Sequence, residues 1–86
     1  MNEVIEMKVL NLYNIWLNFK DGTEFVNDFK PYIGQGFTKE LLGEENFREV
    51  SIELGGGFAW YNGYYFCPND LKQLSLNRTN VNPKQK

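Results

Sequence analysis

The sequence contains no histidine and only one cysteine, and these two absences exclude much of the usual chemistry of protein sites. Without histidine the chain lacks the commonest general base and the commonest metal ligand. A zinc site would need Cys67 and carboxylates, which is an improbable ligand set. One cysteine cannot form an intramolecular disulfide, which suits a reducing compartment. Since no nucleophile–base pair is visible either, we expect no metal, no cofactor and no catalytic activity.

Long apolar runs and an excess of basic residues are also missing. No apolar run is long enough to cross a membrane. The first residues, MNEVIEMK, do not form a signal peptide, so we expect a cytoplasmic protein. The formal net charge of −2 argues against a general nucleic-acid binder, which usually carries a basic patch. Aromatic residues are instead abundant, at 16% of 86 residues, and they supply core area that a short chain otherwise lacks.

The first part of the chain has the pattern of three strands joined by tight turns. Residues 3–10 alternate apolar and polar side chains, and residues 15–19 alternate again. Asp21-Gly22 follows at once and is a strong hairpin signal, because both residue types tolerate positive φ. Residues 23–29 then form the predicted return strand.

The middle of the chain leaves this hairpin unit through short helical segments. Pro31 blocks the ladder because proline has no amide hydrogen to donate. Thr38 can cap a short helix, and residues 44–50 form a second helical turn or two. Alternation then returns in the segments that flank Gly55-Gly56-Gly57 and Asn62-Gly63, which predict a second hairpin unit.

These segments together predict one α+β domain over residues 1–74. Its sheet is mostly antiparallel and has five or six strands from the two hairpin units, with one or two short helices between them. A last short helix follows Pro68 and includes Leu71 and Leu74. Residues 75–86 are polar and have no period, so they predict a disordered C-terminal tail.

The stretch WYNGYYF, residues 60–66, holds five aromatic residues around an Asn-Gly pair. We take Asn62-Gly63 as a two-residue loop and the glycines at 55–57 as a three-residue loop, since this register buries the apolar side chains best. The predicted core face consists of Ile52, Leu54, Phe58, Trp60, Tyr65 and Cys67. The predicted outward face holds Tyr61, Tyr64 and Phe66.

Two interpretations of the outward aromatic face stay open. Tyrosines beside a hairpin turn can simply stabilise the cross-strand pairs. They can also form an exposed aromatic patch of the kind that protein interfaces and their hot spots use. The second interpretation predicts a partner-binding site of Tyr61, Tyr64 and Phe66, with Trp16 as a contributor.

Other candidate sites have plainer explanations. Gly34-x-Gly36 precedes a helix start and could hold a phosphate. It lacks the P-loop lysine and hydroxyl, so a loop that needs unusual φ values explains it better. The Glu44-Glu45 pair could do acid–base work, yet a solvated face of a short amphipathic helix explains it.

The order of the motifs resembles the bacterial domain-of-unknown-function family 2442, a small cytosolic β-rich domain. The resemblance covers roughly residues 5–74. Its elements are Phe19 with Asp21-Gly22, Asp28, Pro31, Gly36-Phe37, Leu41 or Leu42, Phe47 with Val50, Trp60, Asn62-Gly63, Pro68 and Leu71. The chain departs from the family pattern at Tyr61, usually proline, at Tyr65, usually acidic, and at Asn69, often aspartate. The two aromatic replacements, Tyr61 and Tyr65, indicate an altered or more apolar contact.

The resemblance implies a non-enzymatic accessory module. Some such domains are fused to helix-turn-helix DNA-binding domains, and some are encoded beside another small protein in toxin–antitoxin-like pairs. The leading hypothesis is therefore a protein-binding or regulatory module, antitoxin-like in such a pair. One alternative is a homodimer formed through the same face or an edge strand. Another is a nucleic-acid-binding accessory domain that stacks aromatics on bases, although residues 51–71 contain no lysine or arginine.

Overall fold

The structure is a computed structural model that describes residues 2–81, with side chains described for residues 2–76. Within the described residues the chain forms two three-stranded antiparallel sheets, short helical connections between them and one longer helix at the end. The predicted α+β class is confirmed. In this part of the chain no helix combines the length and the apolar character needed to span a membrane.

The first sheet contains β1 (Val4–Val9), β2 (Asn14–Phe19) and β3 (Glu24–Asp28), in that order. The three strands predicted for the first part of the chain are therefore confirmed. Asp21-Gly22 forms the turn between β2 and β3, where Gly22 takes a φ of +94°.

Strand β2 shows why the alternation was informative. Ile15, Leu17 and Phe19 are fully buried on one side of the strand. The residues between them point to the other side, because successive side chains of a strand face opposite ways.

The connection between the sheets is helical. It consists of two 3-10 helices, Lys30–Tyr32 and Gly36–Leu42, and of α1 (Glu44–Phe47). Thr38 lies inside the second 3-10 helix rather than at its start. Its hydroxyl donates to the Gln35 carbonyl at 2.7 Å and closes the first turn of that helix.

The second sheet contains β4 (Ser51–Ile52), β5 (Phe58–Ala59) and β6 (Tyr65–Phe66). The prediction of one sheet with five or six strands was wrong, because the two sheets are separate. They approach each other where the Val4 amide donates to the Gly56 carbonyl at 3.3 Å. The register of β1 shifts between Val4 and Glu6, where the strand is irregular. The pairing between the two sheets does not continue from that single bond into a ladder.

Helix α2 (Pro68–Val81) packs against the first sheet. Leu71 and Leu74 are buried, as the predicted last helix requires. The helix continues to Val81, past the domain boundary predicted at residue 74. Residues 82–86 of the predicted tail lie outside the described residues.

The hydrophobic core draws its side chains from both sheets, from the helical connection and from α2. Its largest fully buried members are Phe19, Phe29, Phe47, Phe58, Ile15, Leu17, Leu41, Leu71 and Val4. Aromatic side chains thus supply the core area that a chain of this length needs.

The glycine turn of the second sheet differs from the prediction by two residues. Ile52 pairs with Phe58, and the Glu53 amide donates to the Gly57 carbonyl at 2.7 Å. The turn therefore begins at Leu54, whose side chain is fully exposed. The prediction that Leu54 belongs to the core was wrong, because the three-residue loop begins one residue earlier than predicted and includes Leu54.

The Asn62-Gly63 turn differs by one residue. The Trp60 amide donates to the Tyr64 carbonyl at 3.0 Å, so three residues form the loop. A two-residue loop of the type expected for Asn-Gly needs positive φ at both positions. Only Gly63 of this pair has it, at +95°. The Asn62 side chain instead accepts a hydrogen bond from the Tyr64 amide at 3.1 Å.

This one-residue change exchanges the two faces of β6. Phe66 pairs with Phe58, and Tyr64 and Phe66 are half-buried against the core. Tyr65 is half exposed instead. The predicted core position of Tyr65 and the predicted outward position of Tyr64 and Phe66 were therefore wrong, since a one-residue slip moves every side chain of a strand to the other face. Cys67, also predicted for the core face, is half-buried and free.

Candidate functional site

The tip of the second hairpin, residues 60–64, is docked onto the helical connection. Trp60 anchors it, because its indole nitrogen donates to the Phe47 carbonyl at 2.9 Å and its side chain is only 4% exposed. Its ring lies 5.6 Å from the Phe47 ring, centre to centre. A buried indole that both packs and finds a hydrogen-bond acceptor holds a hairpin tip firmly in place.

Glu40 fixes the outer part of the tip. Its carboxylate accepts a hydrogen bond from the Tyr61 hydroxyl at 2.7 Å and one from the Asn62 amide at 3.2 Å. Asn62 also donates to the Phe37 carbonyl at 3.1 Å. These bonds hold the Tyr61 side chain in one direction although it is 63% exposed.

The same carboxylate affects the ionisation of Tyr61. Its hydrogen bond with Glu40, followed by partial burial and by the negative charges of Glu40 and Glu49, raises the pKa of the Tyr61 hydroxyl above its usual value. The hydroxyl is protonated at neutral pH as in an ordinary tyrosine, and the raised pKa lets it remain the donor in its bond to Glu40 at higher pH as well.

Two further exposed aromatic side chains stand beside the tip. Phe37 is 60% exposed, and its ring meets the Tyr64 ring edge-on at 5.8 Å. Tyr32 is 41% exposed, and its ring meets the Phe66 ring at 5.8 Å. We call the exposed rings of Tyr32, Phe37 and Tyr61 the hairpin-tip surface.

Tyr64 and Phe66 support this surface from beneath. Their rings contact each other at 5.3 Å, and the Tyr64 hydroxyl donates to the Tyr32 carbonyl at 2.6 Å. Burial raises the pKa of the Tyr64 hydroxyl above its usual value. Each exposed ring thus rests on, or is bonded to, a side chain that is itself fixed.

The structure brings together three of the four partner-binding residues predicted from the sequence. Tyr61 faces outward as predicted, while Tyr64 and Phe66 form the support of the same surface. Trp16 lies elsewhere, on the outer face of the first sheet, where its indole nitrogen donates to Glu24 at 3.0 Å. The binding role of all four residues stays a prediction.

Sequence reasoning missed Tyr32 and Phe37. Both lie in the segment KPYIGQGF, where the sequence predicts only that Pro31 ends the ladder and that Gly34-x-Gly36 forms a loop. Two large aromatic side chains in a segment rich in glycine and proline have no alternating strand to bury them. That mismatch was the available signal, and only the folded chain shows that the β5–β6 hairpin supports their rings.

An open depression of about 600 Å³ lies next to Tyr61. Its lining residues are Glu45, Asn46, Arg48, Glu49 and Tyr61. Arg48 is engaged at this rim, because its guanidinium donates to the Leu10 carbonyl at 3.1 Å and lies 3.8 Å from the Glu44 carboxylate.

The remaining candidates keep their plainer explanations. Gly34 and Gly36 both have positive φ, which confirms a loop that needs unusual backbone angles. The Gly34 amide donates to the Thr38 hydroxyl at 3.2 Å, so this amide is engaged within the chain. Among the side chains that the structure describes, no group of three or more Cys, Asp or Glu residues is placed to hold a metal ion.

The fold and this surface together define a small α+β domain that exposes a supported aromatic surface. Residues 4–75 match the family described as protein of unknown function (DUF2442). The chain belongs to this family, as the order of its motifs predicts. Neither the curated proteins nor the solved structures contain a significant match to it.

Proposed function

We propose that this chain is a non-enzymatic protein-binding module with a regulatory role. The observation that supports the proposal is the hairpin-tip surface. Its three large aromatic side chains are exposed, and each contacts a side chain of the docked hairpin or of the helical connection. Exposed aromatic groups of this kind are typical of protein interfaces, and aromatic residues supply many of their hot spots. Such a surface suits a protein-binding, regulatory role better than a catalytic role.

The rigidity of the surface adds to this argument. Tyr61 is held by Glu40, Phe37 rests on Tyr64, and Tyr32 rests on Phe66. Binding costs less conformational entropy when the contacting side chains are already ordered. If these side chains served only to cover the core, the Tyr61 hydroxyl would not need the bond to Glu40 that holds it away from the core.

Two considerations bear on the class of molecule that the surface binds. The family resemblance suggests an antitoxin-like member of a small-protein pair, and this role stays a prediction. Nucleic acid is a poorer candidate, because Glu40, Glu45 and Glu49 stand around Tyr61 and would repel phosphate groups.

The proposal is tested with the double substitution Phe37→Ala and Tyr61→Ala. Tagged wild-type chain and the variant are each used to capture proteins from a lysate of the native host, followed by mass spectrometry. We expect the variant to lose the captured protein, since a single hot-spot truncation of about 2 kcal/mol already weakens binding about 30-fold. Both side chains are mostly exposed, so the melting temperature should change little.

Leu54→Ala is the matched control. Leu54 is also large, apolar and exposed, but it lies at the other turn of the second sheet. We expect Leu54→Ala to capture the partner as wild type does. Equal capture by wild type and by the double variant, in chains of equal stability, would show that the hairpin-tip surface is not the binding site.

A further inference from the structure

The hairpin-tip surface differs from an ordinary apolar patch in the charges that surround Tyr61. Glu45 and Glu49 line the depression beside its ring, and Glu40 binds its hydroxyl. A partner that covers the Tyr61 ring must therefore also cover carboxylates. The chemistry of the partner is constrained by these charges as much as by the exposed rings.

Arg48 also lines the depression, but its guanidinium donates to the Leu10 carbonyl and lies 3.8 Å from the Glu44 carboxylate. Within the described residues the ion pairs are Arg48 with Glu44 and Lys72 with Asp21, so Glu45 and Glu49 belong to neither. Glu40 is bonded to the neutral donors of Tyr61 and Asn62. The negative charges of Glu40 and Glu49 act on Tyr61, because they help to raise the pKa of its hydroxyl.

We propose that the hairpin-tip surface binds an arginine-bearing segment of its protein partner, with a guanidinium stacked on the Tyr61 ring and bonded to Glu45 or Glu49. This proposal rests on the proposed protein-binding function and names the chemistry of its partner. A purely apolar segment would leave the carboxylates buried without a partner, which is costly. An acidic segment would be repelled by them.

Arginine fits the site better than lysine does. Its planar guanidinium can lie on an aromatic face while its edge donates to carboxylates in pairs. A lysine ammonium is a compact, strongly hydrated charge that can do only one of these at a time. The exposed rings of Phe37 and Tyr32 then offer contact area for apolar residues of the same segment.

The inference is tested with defined probes in place of an unknown partner. A fluorescein-labelled octapeptide of alternating leucine and arginine is titrated with the full chain and followed by fluorescence anisotropy. The same peptide with citrulline, which is isosteric with arginine but uncharged, is the control. We expect the arginine peptide to bind at least about tenfold more tightly, since a desolvated cation–π contact with a carboxylate partner contributes on the order of 2 kcal/mol.

The variants separate a local site from the general charge of the chain. Glu45→Gln with Glu49→Gln should weaken binding of the arginine peptide at least about fivefold, because it removes its two carboxylate partners. Glu6→Gln with Glu53→Gln changes the net charge by the same amount at exposed positions outside the depression. We expect this control pair to bind within about twofold of wild type.

Two results would overturn the inference. One is equal binding of the arginine and citrulline peptides, and the other is an equal loss of affinity in the two charge-matched variants. The partner capture described above keeps the two proposals apart. Capture that survives Glu45→Gln with Glu49→Gln but is lost in Phe37→Ala with Tyr61→Ala would reject the arginine site and leave the binding function standing.

Discussion

Lys72 is the residue that fastens α2 to the turn between β2 and β3. Its ammonium donates to the Asp21 carboxylate at 2.5 Å and to the Thr23 hydroxyl at 3.2 Å. It also lies 4.9 Å from the centre of the Phe19 ring. The Lys72 side chain is only 17% exposed, so these three partners replace most of the water around its charge.

The pair has a predictable dependence on pH. The hydrogen bond from Lys72, followed by those from Thr23, holds the pKa of Asp21 well below its usual value of 3.8. A carboxyl whose pKa is lowered by folding contributes its full stability above the unfolded-state pKa. That contribution is lost as the pH falls below about 4 toward the lower folded-state pKa.

We predict that Asp21→Asn lowers the melting temperature by a few degrees at pH 7, because it leaves the half-desolvated Lys72 without its counter-charge. The asparagine keeps an oxygen for the Thr23 amide, so the turn itself is preserved. The difference from wild type should shrink as the pH falls from about 4 to 2, since Asp21 of the unfolded wild-type chain is then protonated while Asp21 of the folded chain is still ionised. Thermal unfolding followed by circular dichroism across this pH range measures it.

Asp28→Asn serves as the control for this residue. Asp28 accepts a bond from the Lys30 amide, which an asparagine oxygen can also accept, and no ion pair of the described residues includes it. Its substitution should cost little at pH 7. A loss on Asp21→Asn that is the same at every pH would contradict the proposed ion pair.

At the scale of elements, the second hairpin shows how one side chain decides the register of a strand. The Asn-Gly signal correctly placed a turn at residues 62–63, but it did not give the length of the loop. Asn62 bonds to Glu40 and to the Phe37 carbonyl, and it does not adopt positive φ. The loop therefore has three residues, and this length turns the side chains of Tyr64 and Phe66 toward the core.

The glycine turn joins the two sheets and gives a second prediction. A Cβ on Gly56 would lie 2.6 Å from the Val4 amide nitrogen, whereas a Cβ on Gly55 would meet nothing within 4 Å. The two glycines have nearly the same φ, +93° and +96°. The two positions therefore have nearly the same backbone strain, but only Gly56 lies close to β1.

We predict that Gly55→Ala lowers the free energy of unfolding by about 1–2 kcal/mol, the cost of a left-handed φ in an L-residue. Gly56→Ala should cost at least about 2 kcal/mol more, because the backbone of β1 must move away. Urea denaturation of both variants measures the difference. Equal losses would mean that the contact between the two sheets does not limit the turn.

At the scale of the whole molecule, the charge around the hairpin-tip surface bears on self-association. A symmetric dimer places the same surface patch of two copies against each other. Glu40, Glu45 and Glu49 of one copy would then meet those of the other, and facing like charges are unfavourable. The predicted homodimer through this face is therefore the weaker of the alternatives for the partner.

We predict that the chain sediments as a monomer up to concentrations on the order of 500 µM at moderate salt, where facing carboxylates still repel one another. Analytical ultracentrifugation over a concentration series measures this. If the chain formed a dimer that dissociated on Tyr61→Ala but not on Leu54→Ala, the hairpin-tip surface would instead bind a second copy of the chain.

Local patterns alone determined a good part of this protein. The alternation in β2, the Asp21-Gly22 turn and the apolar spacing of α2 each depend on residues close in sequence, so they could be predicted correctly. The same holds for family membership, which rests on the order of short motifs. The outward position of Tyr61 was also predicted, since it lies directly at the turn.

The tertiary structure decided the separation of the two sheets, the loop length at Asn62-Gly63 and the exposure of Tyr32 and Phe37. Each of these depends on contacts between residues far apart in the chain, such as Asn62 with Glu40 and Tyr64 with Tyr32. The register that buries the apolar side chains best in sequence is not the one that forms, because Asn62 and Tyr64 bond to residues of the distant helical connection. The candidate binding surface therefore exists only after the hairpin has docked on the helical connection.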